Sequence, residues 1–505
     1  MVEAVLALDI GTTAIKAALV AADGAILAIE RAPTPSSSPQ VGWLEHDPEL
    51  LWAASSSVLG RVAAAAAAAG VQPRALAVTG ARGTVCLIDA DGRALTPFLT
   101  WQDRRSIEVL PGLRERLGGE LAYYKRTGVR LDPSIMGPKL VWLRQHARDR
   151  FERARWAATT QGFAARRLTA EPPNTDFSTA NFFGLMDIDA DGWSAELVER
   201  FELPAELLPP LAAPGASAGT VAADVAAALG LPAGIPVVLA GSDGVCAELG
   251  AGVLDPGQLY GYLGTAGALA SPLLEPRVDP QARLLVSQGS VSGRWRVLAL
   301  SFAGASATDW WRTVAAIDQP GKLDRALAAT TPGARGVLFM PTLSGAGTPH
   351  WSARARGAFL GLSLSHSADE LSRAVCEGIA IELRLMLGAL SAFGVVPSEL
   401  RLTGGGARSD QWVALLANVL ELAIERIDHP EPGLLGNASY ALAAIGVYSD
   451  PLTATRALRA PAQLFEPDSA LAGRYGELAA AYELARDTFE HSGLDDRLAS
   501  LGADA

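Results

Sequence analysis

A carboxylate, a glycine and two hydroxyls follow one another in Asp9-Ile10-Gly11-Thr12-Thr13, set between apolar runs at 4–9 and 14–22. A glycine turn whose backbone N–H groups and hydroxyls face outward can hold phosphate oxygens, and a carboxylate beside it can hold the magnesium that accompanies them. The implied ligand is a nucleoside triphosphate. Thr12 and Thr13 supply donors, and Lys16 adds a positive charge if it turns inward; on a strand it is otherwise an exposed lysine. A dinucleotide fold would follow its first glycine turn with a helix, and a P-loop would read Gly-x-x-x-x-Gly-Lys-Ser/Thr; neither follows here. A second such turn, Gly264-Thr265, closes another apolar run, and Gly404-Gly405-Gly406-Ala407 separates a strand pattern from a helix that starts at Ser409. Each turn alone is more often a plain hairpin or a strand-to-helix link than a phosphate grip. Together they point to a nucleotide cleft, two turns gripping phosphates from facing domains and the third open to a base or an α-phosphate. A further carboxylate, Asp243, ends the strand pattern 236–240, where the N–H groups of Gly244 and Val245 would satisfy an ordinary strand-end aspartate.

These groups need elements to hold them. Apolar runs at 4–9, 14–22 and 25–32, with Asp23-Gly24 as a turn, predict a three-stranded antiparallel start. Asp47-Pro48-Glu49 predicts a helix with Asp47 as N-cap and Pro48 at its first position, stopped by Gly70. A strand at 74–79 leads into Gly80-Ala81-Arg82-Gly83, and a hairpin around Asp91-Gly92 leads to Trp101. Residues 111–232 read as mostly helical and irregular, with 209–219 as a connection. The pattern of the opening then returns: a strand to 240, another at 258–263 ending in Gly264-Thr265, and an extended continuation. The second half therefore reads as a diverged copy of the first, with a cleft between them. A strand at 336–340, a long helix at 368–393, a strand at 399–403, helices at 409–422 and 434–448, and a helical tail complete the expectation.

At 505 residues the chain exceeds what one core usually supports, so two domains of roughly 200 to 250 residues are expected. No uninterrupted apolar run reaches the roughly 20 residues needed to cross a bilayer, and the N-terminus lacks a secretion signal. A soluble cytoplasmic protein is expected. A net charge of −12 without long Lys/Arg runs argues against nucleic acid or an anionic membrane as partner. Cys86, Cys246 and Cys376 suit neither a disulfide framework nor a zinc site, and His46, His350 and His366 show no ligand spacing. Trp310-Trp311 reads as core or cleft wall.

The order of elements resembles the actin, heat-shock chaperone and sugar-kinase superfamily. Residues 341–351, Pro-Thr-Leu-Ser-Gly-Ala-Gly-Thr-Pro-His-Trp, with 355–362 and 371–377, resemble the second signature of the FGGY carbohydrate kinases. Residues 139–143 resemble the first signature, with Met136 where a small hydroxyl or proline is usual. Gly405-Gly406-Ala407-Arg408-Ser409 and Leu435-Gly436-Asn437-Ala438 resemble the adenosine-binding segments, with Asn437 where alanine is common. The resemblance implies an α/β chain of two ribonuclease H-like, actin-like ATPase domains with an interdomain cleft. It implies residues 1–246 for the acceptor and the first phosphate turn, 247–460 for ATP, and 461–505 as a helical tail. It also implies ATP and Mg2+ as cofactors, Asp243 as the base that takes the proton of the acceptor hydroxyl, and Asp9 with Asp243 as magnesium holders through water. Gly11, Thr12, Thr13, Lys16, Gly264, Thr265, Gly405, Gly406, Ala407, Ser409 and Gly436 are the implied ATP contacts.

By the same resemblance Arg82, Gly83, Trp101 and Asp103 face the acceptor with Asp243, although Trp101 and Arg104 read equally as a buried ring and a surface ion pair. Xylulokinases carry Gln-Met-His-Gly where this chain has Gly80-Ala81-Arg82-Gly83. Glycerol kinases keep the arginine but follow it with glutamate, place a tyrosine at the Ser134 position and put glutamine where Gly244 stands. Loss of those polar groups argues against glycerol, since a site for a small triol needs a bidentate partner. Residues 42–48 look most like xylulokinase and gluconokinase relatives, so the expected acceptor is a ketopentose such as D-xylulose, with a polyol or an aldonate as the alternative. The expected partner is thus a small sugar or polyol, with a homodimer as an allowed assembly. A chaperone or filament subunit would lack the second signature, and a sugar-sensing pseudokinase would not need Asp9, Thr265 and Asp243 together.

Overall fold

The computed structural model of the chain describes residues 3–317, 321–429 and 431–503. Three consecutive antiparallel strands, β1 (Ala4–Ile10), β2 (Ala14–Ala21) and β3 (Ile26–Pro33), open the first sheet. Helix α1 (Pro48–Ala68) follows, with the Asp47 carboxylate accepting from the N–H groups of Glu49 and Leu50 as its cap. The chain returns as β4 (Leu76–Gly80), parallel to β1, passes through α2 (Thr160–Thr169) and β5 (Ser217–Thr220), and enters β6 (Pro236–Leu239), parallel to β4. The sheet order is β5-β6-β4-β1-β2-β3. Helix α3 (Asp243–Gly250) leaves the end of β6.

The second sheet repeats this plan. Strands β7 (Gln258–Leu263), β8 (Gly267–Leu273), β9 (Leu285–Gln288) and β10 (Trp295–Ser301) are antiparallel. Helix α4 (Ala368–Ala392), β11 (Glu399–Thr403), α5 (Asp410–Leu420), β12 (Ile424–Ile427) and α6 (Pro432–Ala444) follow, with β11 parallel to β7 and β12 parallel to β11. Strands β10-β8-β7-β11-β12 thus stand in the relation of β3-β2-β1-β4-β6, the copy expected from the internal echo and the α/β architecture of two ribonuclease H-like lobes implied by the resemblance. The segment after 460 departs from the expected helical tail: Ala462–Phe465 forms β13, antiparallel to β12 at the sheet edge, before α7 (Ala472–His491). The expected connection at 209–219 likewise contains two bridged residues, Leu211–Ala212, and the start of β5.

Burial explains how the lobes meet. Along β1 the side chains alternate as strand geometry requires. Leu6, Leu8 and Ile10 join Leu51, Val58, Leu59 and Val62 of α1 in one core, whereas Val5 and Ala7 join a different core with Leu249 of α3 and Leu434, Ala438 and Ala441 of α6. Tyr260, Ala270 and Leu298 of the second sheet enter this same cluster, so it is the shared core of the two lobes. Helix α1 is apolar and long enough to suit a membrane by length and composition, but its apolar face packs on β2 and β3. Helices α3 and α6, the element after the last parallel strand of each lobe, lie against each other with no room for side chains: a Cβ on Gly250 would collide with the Pro432 carbonyl and one on Gly436 with the Cys246 carbonyl. Asn437 donates its amide to the Leu8 carbonyl at 2.8 Å, tying α6 to β1.

An alanine in place of a helical glycine ordinarily stabilises by about 0.5–1 kcal/mol. The close approach reverses that sign. Gly250→Ala is expected to lower stability by about 1–3 kcal/mol through overpacking, while Gly388→Ala in α4, which meets nothing within 4 Å, is expected to raise it. Denaturant titration of both variants checks this; equal signs would contradict the packing.

Candidate active site

The strand ends carry the charged groups to one edge of the shared core. Asp9 sits opposite Lys16 across the β1–β2 pair. Its Oδ1 is enclosed and has no protein partner. Burial pushes this carboxyl up to about 7, with the Asp243 and Glu431 charges adding to the rise and Lys16 opposing it. Lys16 does turn inward, yet its ammonium is committed at 2.7 Å to Glu431, the residue before α6, which also pairs with Arg31 at 2.8 Å. This three-residue bridge ties β2 and β3 of the first lobe to the second.

Asp243 is the first residue of α3, where the positive end of the helix dipole favours a carboxylate. Its Oδ1 accepts from the Gly244 N–H at 2.8 Å, and its side chain is 39% exposed, so the other oxygen is open to a ligand. Arg82, just past β4, points to it with Nε 4.0 Å from Oδ1 and lies over the Phe182 ring at 4.2 Å. Its Nη1 is buried and unpartnered. Burial lowers its pKa to about 10, with the nearby Arg296 adding to the drop and Asp243, Glu248 and Asp176 opposing it.

Asp9, Lys16, Asp243, Gly405 and Ala407 line one interlobe cavity of about 590 Å³, together with Tyr262 and Glu431. An adjoining cavity of about 640 Å³ shares Gly405 and adds Gly406, Ser409, Asp324 and Trp412. Its Ser409 hydroxyl donates to Asp324 at 2.5 Å and accepts from the Trp412 N–H as the cap of α5. The two volumes together are of a size that holds a nucleotide.

Other expected contacts lie elsewhere. Gly11, Thr12 and Thr13 form the β1–β2 turn outside both cavities, with the Thr12 hydroxyl accepting from the Trp101 indole at 2.9 Å. Gly264 and Thr265 form the β7–β8 turn, also outside them, and the Tyr262 ring packs over Gly264. Gly436 is not among the residues lining either cavity, and its missing side chain serves the α3–α6 contact. Asp103 is sealed at 0% exposure: it accepts from the Leu44 N–H and pairs with Arg105, so it shapes the loop rather than facing a ligand. Gly83 is a turn glycine with φ 70°, wedged against Ser134 and Trp101. The Arg104 guanidinium stands 3.8 Å from Asp132 at the surface.

Three cleft groups escaped the motif reading. Glu431 is the partner of Lys16, and Arg296 of β10 pairs with Glu248 of α3 beside Arg82. For Arg296 and Glu248 the sequence signal is a charge flanked by apolar residues, arginine between Trp295 and Val297 and glutamate between Ala247 and Leu249; Glu431, in Asp428-His429-Pro430-Glu431, carries no such signal. Such charges are buried only when paired.

The descriptions "FGGY family of carbohydrate kinases, N-terminal domain" and "C-terminal domain" match residues 4–250 and 262–445. A glycerol kinase of Rhodospirillum centenum is 31% identical over 493 residues, covering 96% of this chain and 98% of that protein. A xylulose kinase of Escherichia coli is 28% identical over 484 residues, covering 96% and 97%. The crystal structure of a xylulose kinase from Rhodospirillum rubrum superposes with a TM-score of 0.90 at 29% identity, over 97% of this chain and 99% of that one. A cleft between two ribonuclease H-like lobes, with these matches over nearly its whole length, makes this chain a member of the FGGY family of carbohydrate kinases, phosphotransferases that act on an alcohol group.

Proposed function

We propose that this chain transfers the γ-phosphoryl of ATP to a hydroxyl of an open-chain sugar, a ketopentose such as D-xylulose, with Asp243 as general base. The observation that carries the reading is the position of Asp243: a partly exposed carboxylate at a helix N-terminus, in the interlobe cavity, next to Arg82 on one side and Asp9 on the other. An alcohol attacking a phosphoryl group must lose its proton as the bond forms, and a carboxylate within reach of that hydroxyl accepts it. Arg82 orients the acceptor by donating to its oxygens, and the cavity at Gly405, Gly406 and Ser409 takes the adenosine. Thr12, Thr13 and Thr265 reach the phosphates only when the lobes close, a motion that also expels water from the reacting groups.

The donor set suits magnesium. Asp9 offers an enclosed oxygen without a protein partner, and no group of three or more His, Cys, Asp or Glu side chains able to hold a metal occurs among the described residues. One or two carboxylates with phosphate oxygens and waters is the set this ion takes. When bound, it supplies charge neutralisation on the phosphates. Ionising Asp9 alone costs stability because its carboxyl is raised, and a cation beside it offsets that cost.

A second reading, a polyol acceptor of the glycerol or erythritol type, is supported by Arg82 and by the glycerol kinases at 31% identity. An ADP-release screen over ketoses, polyols and aldonates separates the two, and a sugar-sensing protein without transfer activity would release no ADP with any of them.

Asp243→Asn is expected to cut acceptor-dependent ADP release by about 10²–10⁴-fold while leaving nucleotide affinity within a few-fold. Normal turnover in this variant would sink the assignment. For Asp9 the sign follows from its raised value: below pH 7 the carboxyl is protonated, so Mg-nucleotide binding must displace that proton and weakens as pH falls. Calorimetry in buffers of different ionisation enthalpy at pH 6 is expected to show release of about one proton per site, absent in Asp9→Asn.

A further inference from the structure

Two guanidinium groups, one from each lobe, converge on Gly244. A Cβ at that position would stand 3.3 Å from Nη1 of Arg296 and 3.4 Å from Nη2 of Arg82. The missing side chain lets both cations close on the backbone directly beside the Asp243 carboxylate, at a distance that even a methyl group would crowd. Arg82 follows β4 of the first sheet, while Arg296 lies on β10 of the second, only 3% exposed. Arg296 is held on one side by Glu248 of α3, and its Nε and Nη1 have no protein partner; Nη1 of Arg82 has none either. Buried N–H groups left without an acceptor cost about 1–3 kcal/mol each, so a site that retains several is built to have them filled by a ligand or by water that a ligand displaces.

Resting on the kinase reading above, we propose that Arg296 is an acceptor-binding, specificity-determining residue. Its Nη1 donates to an oxygen of the acceptor remote from the attacked hydroxyl while Arg82 donates to another, and the acceptor they select is an uncharged polyhydroxy compound. The charge count sets the class. Arg82 and Arg296 are matched by Asp243 and Glu248, with Asp176 a further carboxylate near Arg82, so no surplus positive charge awaits an anion and an aldonate would bring an unbalanced carboxylate against Asp243. Hydroxyl or carbonyl oxygens satisfy the free donors without that penalty. Because the two arginines belong to different lobes, one acceptor molecule spans both, and its binding favours the closed cleft.

The test measures ADP release from the full-length protein with D-xylulose, erythritol, glycerol and D-gluconate, for wild type and Arg296→Gln. The expected result is activity with at least one uncharged compound and little with gluconate. In the variant the KM for that uncharged compound should rise about tenfold or more with the KM for ATP within twofold, the loss expected for one charge-assisted hydrogen bond. Since Arg296→Gln leaves Glu248 buried without its partner and can fail to fold, Gly244→Ala provides the same readout: a methyl group placed between the guanidiniums should raise the acceptor KM and leave that of ATP unchanged. An unchanged acceptor KM in the folded variants, or gluconate as the preferred acceptor, overturns this inference while leaving the kinase reading intact. No acceptor-dependent ADP release from wild type overturns both.

Discussion

Everything in the cleft depends on how closely α3 and α6 approach. Each helix leaves the last parallel strand of its own lobe, and each presents a glycine, Gly250 or Gly436, to a backbone carbonyl of the other. With no side chains between them the helices sit deep in the shared core, and the N-terminus of α3 is thereby carried to the floor of the cleft. Asp243 is the residue at that N-terminus. The Asn437 amide on the Leu8 carbonyl fixes the same helix pair to β1, whose end carries Asp9. Two carboxylates, one on a strand and one on a helix, are thus brought into mutual influence by a packing contact that itself contains no charge.

The charged groups around this contact divide into pairs that bind the lobes and atoms left open. Lys16, Arg31 and Glu431 form a bridge from the first lobe to the residue before α6, and Arg296 joins β10 to α3 through Glu248. Pairs of this kind hold geometry more than they add stability, because desolvation offsets much of the attraction. Asp9 and Arg82 are different. Burial moves the carboxyl up and the guanidinium down, each toward its neutral form, and each keeps an unpartnered polar atom. A folded chain tolerates such unmet groups where a ligand supplies what is missing, and here they stand on either side of one aspartate.

Much of the architecture was readable from local pattern. The alternation of 4–33, the Asp47 cap, and the strand that runs from Glu399 to Thr403 into a glycine break reflect turn chemistry and periodicity, which act over a few residues. The strand β13 was not legible, because Ala462–Phe465 is short and mostly exposed and becomes a strand only through pairing with β12. The same limit applies within the site. Asp103 looks in sequence like a cleft carboxylate, and only the fold discloses that Leu44 and Arg105 consume it. Gly436 has the spacing of a nucleotide contact, yet its lack of a side chain serves helix packing.

What the order of residues determined by itself was the repeated strand-turn-strand plan and the position of the glycine turns with Asp9 beside the first, since these rest on residue type and short-range spacing; the parts given to Arg82 and Asp243 were implied by the family resemblance. What only the tertiary structure decided was which of these groups meet, which are consumed by neighbours, and that Arg296, 53 residues beyond Asp243 in the chain, reaches Gly244 beside it from the opposite lobe. Contacts of that kind are set by how two sheets and two helices pack over long loops, and no local preference of the chain encodes such a distance.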